Sequence, residues 1–402
     1  MLTTAEASKV IADSMTSFKT ENVSLVDAVG RILCQSIKSE RDQPPFDRVM
    51  MDGIAVDYTS LANGSQRFIV QGTQAAGDHV QILKDSSYCI EVMTGAVRPK
   101  NTDCIIPVER INVKDGIATI EADYKASQDQ FIHPQGSDHR KGAKVIAAGT
   151  AISPMDIAII ASCGLPMVSV SRQPLVSVIS TGNELVPPGQ PVEDHQIRLS
   201  NGPALIAMLR CQGFDRSEHQ HLVDKPTILK KNLDEHLKKS DVIILSGGVS
   251  MGKADYVPQV LVDLGVNLIF HKVSQRPGLP MWFGKGPKDQ VVFALPGNPV
   301  STLICCRQYV LPALFLASGR SPRDGETALL IENINFKSNL TCFLPVRLKG
   351  SSDGQLLAQP VPTNTSGDFT SLSGTDGYIE LDKGTNKFLK GTLVPLYRWD
   401  AP

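Results

Sequence analysis

Residues 246–255 read SGGVSMGKAD and follow an apolar run, DVIIL at 241–245. Gly247 to Lys253 is G-x-x-x-x-G-K, the frame of a loop whose backbone N–H groups cradle nucleotide phosphates. Such a loop ends in Ser or Thr, because that hydroxyl ligates the Mg²⁺ of the nucleotide. Here the position holds Ala254, and no second acidic strand end is clearly placed to complete a nucleotidase site. The likeness to a P-loop is coincidental, and the glycines need another ligand.

Two more stretches have the same texture: STGNE at 180–184 and LPGNPVS at 295–301. Each joins glycine to small hydroxyl or amide residues. Glycine lets the backbone approach a ligand and turn its N–H groups outward, and a helix N-terminus just beyond favours an anion. Any one of these loops can be an ordinary tight turn with a helix cap. Three together point to a polyanionic, phosphorylated ligand. Glu184 and Asp255 sit on two of the loops with no His or Cys beside them, and two hard oxygen ligands near a phosphate suit Mg²⁺ better than zinc. Asp255 can equally cap the helix that it precedes. The eight histidines show no H-x-x-x-H spacing, and His139 and His271 read as structural or exposed. There is no G-x-S-x-G elbow. Cys163 has no partner in sequence, and Asp138, in GSDHRKG, reads from its neighbours as a turn residue.

The elements that must carry these loops show in the periodicity. Residues 3–18 place Ala7, Val10, Ile11, Met15 and Phe18 on one face, which predicts an amphipathic helix. From 41 to 142, short β-rich runs such as RFIV (67–70) and DGIATIEA (115–122) alternate with Gly and Asp turns. From about 173 to 320 the pattern is strand then helix, repeatedly. Strands fall at 175–180, 241–246 and 291–295. Helices run from near Pro203 to Gly213, over 227–239 with Leu229, Leu233 and Leu237 on one stripe, near 255–264, and onward from Pro299. Apolar strands alternating with helices predict a parallel sheet covered on both faces, with ligands beyond the carboxyl ends of its strands. The three glycine loops leave such ends. After Pro322 the helical signals stop and short β runs follow.

Composition sets the outer bounds. The 402 residues suggest two to four domains. Lys+Arg 40 against Asp+Glu 41 leaves a net charge of -1, which argues against a main function of gripping nucleic acid or an anionic membrane. The eight cysteines include no C-x-x-C pair, so they read as buried small apolar residues of a reducing, cytoplasmic compartment. The apolar stretch 299–317 contains Arg307, Gln308 and Pro312 and reads as a buried helix, not a membrane span.

Seven motifs, in order, resemble the molybdopterin molybdenumtransferase family, which includes the E domain of gephyrin. They are PPFDRVMMDGIAV (44–56), TGAVRPKNTDCIIPVE (94–109), GSDHRKG (136–142), STGNELVPPGQP (180–191), SGGVSMGKADY (246–256), RPGLPMWFG (276–284) and LPGNPVST (295–302). The resemblance implies a multidomain α/β-plus-β chain. A composite N-terminal domain would take 1–45 and 140–172, and an inserted β-rich domain 46–139. A three-layer molybdopterin-binding α/β domain with a parallel-type sheet would take 173–322, and a small β-barrel-like domain 323–402. It implies an elongated homodimer that inserts molybdate into adenylylated molybdopterin and releases AMP with Mg²⁺ present. It would work beside the adenylyltransferase that makes this substrate and the molybdoenzymes that use the product.

In that reading Asp52, Asp138, Glu184, Asp255 and Arg276 are catalytic, and Glu184 and Asp255 hold the metal. Asp52 would face the α/β domain of the partner subunit, so that the active site lies at the dimer interface. The substrate would lie on Thr181, Gly182, Ser200 and Asn201, on Gly247, Gly248, Val249 and Ser250, and on Pro296, Gly297, Asn298, Pro299 and Ser301. Two departures stand out. The family's usual Asp-Ser-Asn is Leu199-Ser200-Asn201 here, and its usual Lys-Pro-Gly-Lys-Pro is Arg276-Pro277-Gly278-Leu279-Pro280. A homologue that binds molybdopterin or a partner protein without efficient metal insertion is the alternative.

Overall fold

The computed structural model describes residues 1–248, 256–336, 339–363 and 365–400. The chain forms two compact units. One comprises Met1–Cys34, Gly149–Ile152 and Val168–Pro402; the other comprises Gln35–Ala148 and Ser153–Met167.

The first unit is built on a six-stranded sheet of β1 (Val176–Thr181), β2 (Ser217–Leu222), β3 (Val242–Ser246), β4 (Asn267–His271), β5 (Trp282–Lys285) and β6 (Val291–Leu295). Their spatial order is β2-β1-β3-β6-β5-β4. The first four are parallel, with Val176 opposite Ser217 and Val242, and Val242 opposite Val291. Strands β5 and β4 then run antiparallel, so the sheet is mixed at that edge. Every residue of β1, β3 and β6 is buried. Successive side chains of a strand point to opposite faces, so these strands feed two cores. Val176, Val178, Val242, Ile244 and Phe293 enter one; Ile179, Ile243, Leu245, Val292 and Ala294 enter the other.

Helices cover both faces. On the first face, α1 (Thr4–Ser14) contributes Ala7 and Ile11, and α2 (Asn201–Cys211) contributes Leu205 and Leu209. On the second, α3 (Pro226–Lys239) contributes Leu229, Leu233 and Leu237, and α4 (Val257–Asp263) contributes Val257, Val260 and Leu261. A capping box starts α1: Thr3 Oγ1 accepts from Glu6 N at 3.2 Å, and the Glu6 carboxylate accepts from Thr3 N at 2.8 Å. That helix stops at Ser14, four residues short of the expected end, yet Met15 and Phe18 still pack on the same core from beyond it. The Pro299–Ala317 run is long and apolar enough to cross a membrane, but most of it is buried in this core. A π turn at Cys306–Val310 interrupts it just before Pro312, whose missing N–H cannot bond to the carbonyl four residues back.

The same unit holds a closed five-stranded barrel. Thr341–Gly350 pairs with both Leu356–Pro360 and Gly377–Leu381; Leu393–Arg398 pairs with Gly377–Leu381 and Glu326–Leu330, and the latter closes on Leu356–Pro360. Ala328, Val346, Ile379 and Leu396 fill it.

The second unit carries a six-stranded sheet in the order Cys104–Pro107, Gly53–Val56, Tyr88–Val92, Arg67–Gln74, Ile117–Ile120, Ile111–Lys114. It also contains a helix not expected from sequence, Pro154–Ser162, started by a Ser153/Asp156 capping box. All eight cysteines are free, and six of them are buried.

Candidate functional site

Strands β1, β3 and β6 end at one edge of the first unit's sheet, at Thr181, Ser246 and Leu295. Beyond that edge lies a cleft of about 830 Å³. Thr181, Glu184, Ser200, Asn201, Gly247 and Gly248 line it, and so do Pro296, Gly297, Asn298 and Pro299. The three loops read as phosphate-binding are therefore brought together.

Asn201, the first residue of α2, ties two of the loops to its own helix. Its Nδ2 lies 2.8 Å from Ser246 Oγ, 2.7 Å from Gly297 O and 3.2 Å from Thr302 Oγ1. Thr302 Oγ1 in turn donates to the LPGN turn, where Pro296 O and Asn298 O lie 2.5 and 3.0 Å away. Asn201 Oδ1 and Thr181 Oγ1 are buried with no hydrogen-bond partner among the described residues. Buried polar atoms without partners are costly, and two of them at one strand edge mark acceptor and donor capacity unused by the fold.

The glycines are demanded by close approach. Gly247 has φ +97°, and a Cβ there would stand 2.6 Å from Thr181 O. Gly248 has φ +66°, and its Cβ would meet Thr181 Oγ1 at 2.8 Å. Neither space nor backbone permits a side chain at these positions. Gly247 N donates to Leu295 O at 3.2 Å, which joins the second loop to the third strand. The first loop is pinned from β2: Gly182 N donates to Leu222 O at 3.4 Å, and His221 Nε2 lies 2.8 Å from Gly182 O. Next along β2, His219 Nε2 lies 3.0 Å from Ser180 Oγ, and burial, then the neighbouring His221, pushes the His219 pKa down.

Among the described residues, the charges lining the cleft are Glu184, Arg198 and Asp224. Arg198 is turned toward a peptide turn, with Nη1 donating to Pro187 O at 3.2 Å and also to Gln190 O. Asp224 was missed in the sequence because SEHQHL at 217–222 lacks an apolar pattern. Had that stretch been read as a strand, its end would have joined the same ligand-binding edge. Thr302 and the Ser246 hydroxyl were missed as well.

Other expected site residues lie elsewhere. Gly182 is on the first loop but not in the cleft lining, and Ser301 is buried and does not line the cleft either. Arg276 is exposed, pairs across to Cys342 of the barrel and does not line the cleft, although Pro280 does. Asp52 and Asp138 belong to the second unit. Asp52 Oδ1 accepts from Thr94 Oγ1 at 2.7 Å and Thr94 N at 2.6 Å, and these bonds hold its carboxyl below the usual range. Asp138 Oδ1 meets His133 Nε2 at 3.0 Å. Val249, Ser250 and Asp255 lie outside the described residues.

No group of three or more His, Cys, Asp or Glu able to hold a metal occurs among the described residues.

Residues 2–164 match the family described as "MoeA N-terminal region (domain I and II)", residues 177–315 "Probable molybdopterin binding domain" and residues 327–399 "MoeA C-terminal region (domain IV)". The molybdopterin molybdenumtransferase of Synechocystis sp. is 36% identical over 99% of this chain and 100% of its own. The chain belongs to the molybdopterin molybdenumtransferase family. The relative from Synechococcus elongatus is 32% identical over 93% of each chain. A crystal structure titled molybdopterin biosynthesis moea protein, from Pyrococcus horikosii, matches with a TM-score of 0.83 and 30% identity over 99% of each chain. The family's fold thus extends from one end of this chain to the other, barrel included.

Proposed function

We propose that this molybdopterin molybdenumtransferase acts in molybdenum cofactor biosynthesis by inserting molybdate into adenylylated molybdopterin with release of AMP. The observation that carries the reading is the cleft where the STGNE, SGG and LPGN loops meet. A pyrophosphate needs preorganised donors, and the glycine loops tied through Asn201 let the backbone approach it closely, although Gly182 N and Gly247 N themselves bond within the fold. Thr181 Oγ1 and Asn201 Oδ1 add a hydroxyl and an acceptor for a polar ring or ribose.

Glu184, with Asp255, would hold Mg²⁺. The ion would neutralise charge on the pyrophosphate when bound. What the chain itself does is bind and orient: the loops fix the phosphates, and the cleft walls at Leu185, Leu199 and Phe369 exclude water around the pterin.

Four further features belong to the same proposal. The division into a composite N-terminal domain, an inserted β-rich domain, an α/β domain and a C-terminal barrel is retained with the boundaries given above. A homodimer is supported by apolar side chains left in water, Met155 at 69% and Ile159 at 37% exposure on one short helix. A cytoplasmic location is supported by eight unpaired cysteines. The adenylyltransferase and the recipient molybdoenzymes are its proposed partners.

The test is a binding comparison followed by product analysis. Adenylylated molybdopterin should bind and yield AMP, and ATP should be the weaker ligand. Equal binding of ATP, with no AMP formed from the pterin, would overturn the assignment.

A further inference from the structure

A second cavity of about 560 Å³ lies in the first unit, away from the strand ends. Its walls are the Leu311–Ala317 end of the long helix, the 320–325 connection and the barrel strands Glu326–Leu330 and Leu393–Arg398. Pro312, Phe315, Leu316 and Leu396 make it apolar on one side. Among the described residues, Arg307, Arg320, Arg323 and Arg398 face it, against only Asp324 and Glu326.

Two of these guanidinium groups are already committed. Arg398 Nε lies 2.9 Å from Glu326 Oε2 and 3.1 Å from Glu326 Oε1, and Arg307 Nε donates to Arg398 O at 2.6 Å. Arg320 and Arg323 have no ion pair among the described residues. Arg320 is half-buried, with its guanidinium 4.4 Å from the centre of the Phe315 ring. Burial, then repulsion from Arg323, brings its pKa down to about 10, so it stays charged at neutral pH while missing a counter-charge. Like charges held together in a half-buried site repel, and a fold gains nothing from that arrangement by itself.

We propose that this cavity binds an aromatic phosphomonoester, with the dianion between Arg320 and Arg323 and the ring on the apolar wall. The volume suits a small ligand. The charge selects the headgroup: the lining carries two positive charges in excess, and a phosphomonoester brings roughly −1.5 to −2 at pH 7, where a carboxylate brings about half to two-thirds of that. Planar guanidinium forks match phosphate oxygens, and the Ser321 hydroxyl on the same rim is a further donor. An isolated phosphate would leave the apolar wall in water, so the ring is part of the specificity.

The experiment is calorimetric titration of the full chain with phenyl phosphate and, separately, with inorganic phosphate. Phenyl phosphate should saturate one site per chain, and inorganic phosphate should bind more weakly. Arg320→Ala/Arg323→Ala should weaken phenyl phosphate roughly tenfold or more, the loss of two charged hydrogen-bonding partners. Arg323→Ala alone, at an exposed position whose loss cannot unfold the chain, should weaken it in the same direction. Glu184→Gln, in the other cleft, should leave the affinity unchanged. Binding that is indifferent to both arginine variants, or absent at millimolar ligand, overturns the proposal. Inorganic phosphate binding as tightly as phenyl phosphate overturns the aromatic part of it.

Discussion

Asn201 and Gly247 hold the cleft in shape, and each is open to a single change. A Cβ at Gly247 would collide with Thr181 O at 2.6 Å on a backbone with φ +97°. Gly247→Ala is therefore expected to push the loop outward, lower the melting temperature and abolish pterin binding, measured by thermal melts beside ligand titration. Asn201→Ala removes the donor shared by Ser246, Gly297 and Thr302 and should cost about 1–3 kcal/mol in denaturant stability, with a larger loss of ligand affinity. Leu199 is 5% exposed on the cleft wall. Leu199→Asp would bury a charge with no partner in the free protein. It should destabilise the chain without Mg²⁺, and thermal melts should show the loss reversed when Mg²⁺ and substrate are added. The glycine loops were legible in the sequence because a backbone constraint selects one residue type and leaves a literal trace. Asp224, Thr302 and Asn201's three-way tie were not, since each depends on which elements become neighbours.

The central strands were legible because β1, β3 and β6 are buried on both faces: β3 and β6 are apolar almost throughout, and β1 keeps a core of Val176, Val178 and Ile179 between its hydroxyl residues. Strand β2 was not. It is the sheet edge, and its polar residues serve a network: His236 Nε2 lies 2.6 Å from Gln220 Oε1, His236 Nδ1 lies 2.8 Å from Ser177 Oγ, and that hydroxyl lies 2.7 Å from Ser240 Oγ. Burial, then Lys239, pushes the His236 pKa below its usual 6.5. The unfolded chain takes up that proton first as pH falls. The contribution is thus complete above the unfolded pKa and is lost as pH drops from about 6.5 through the lowered folded value. Denaturant titrations from about pH 7.5 down to pH 5 should show falling stability, and His236→Gln should flatten that slope. An unchanged slope would mean that the ring is not held neutral. Helix α2 starts at Asn201 and not near Pro203, with Gly202 pressed against His219, where a Cβ would stand 2.0 Å from Nε2. Helix propensity alone does not reveal that start.

At the scale of the whole chain, alternating strands and helices announced the α/β sheet, and the loss of helical signals after Pro322 announced an all-β end, whose barrel-like form only the family resemblance implied. Arg276 shows the limit of motif reading. The stretch that carries it contributes Pro280 to the cleft while Arg276 itself turns to the barrel edge, and nothing in residue order tells the two apart. The exposed apolar helix Pro154–Ser162 leads to an assembly prediction. Light scattering should find a dimer, and Met155→Glu/Ile159→Glu should give a folded monomer. A monomeric natural chain at micromolar concentration with ligand binding intact would refute the dimer. The most direct test of the central claim is a single-turnover reaction of the full chain with adenylylated molybdopterin, Mg²⁺ and molybdate, following AMP and molybdenum-loaded pterin together. The account predicts molybdate-dependent release of AMP, matched one for one by loaded pterin and lost in Glu184→Ala. Tight pterin binding with no AMP released at saturating molybdate would contradict it and leave a binding protein in the enzyme's place.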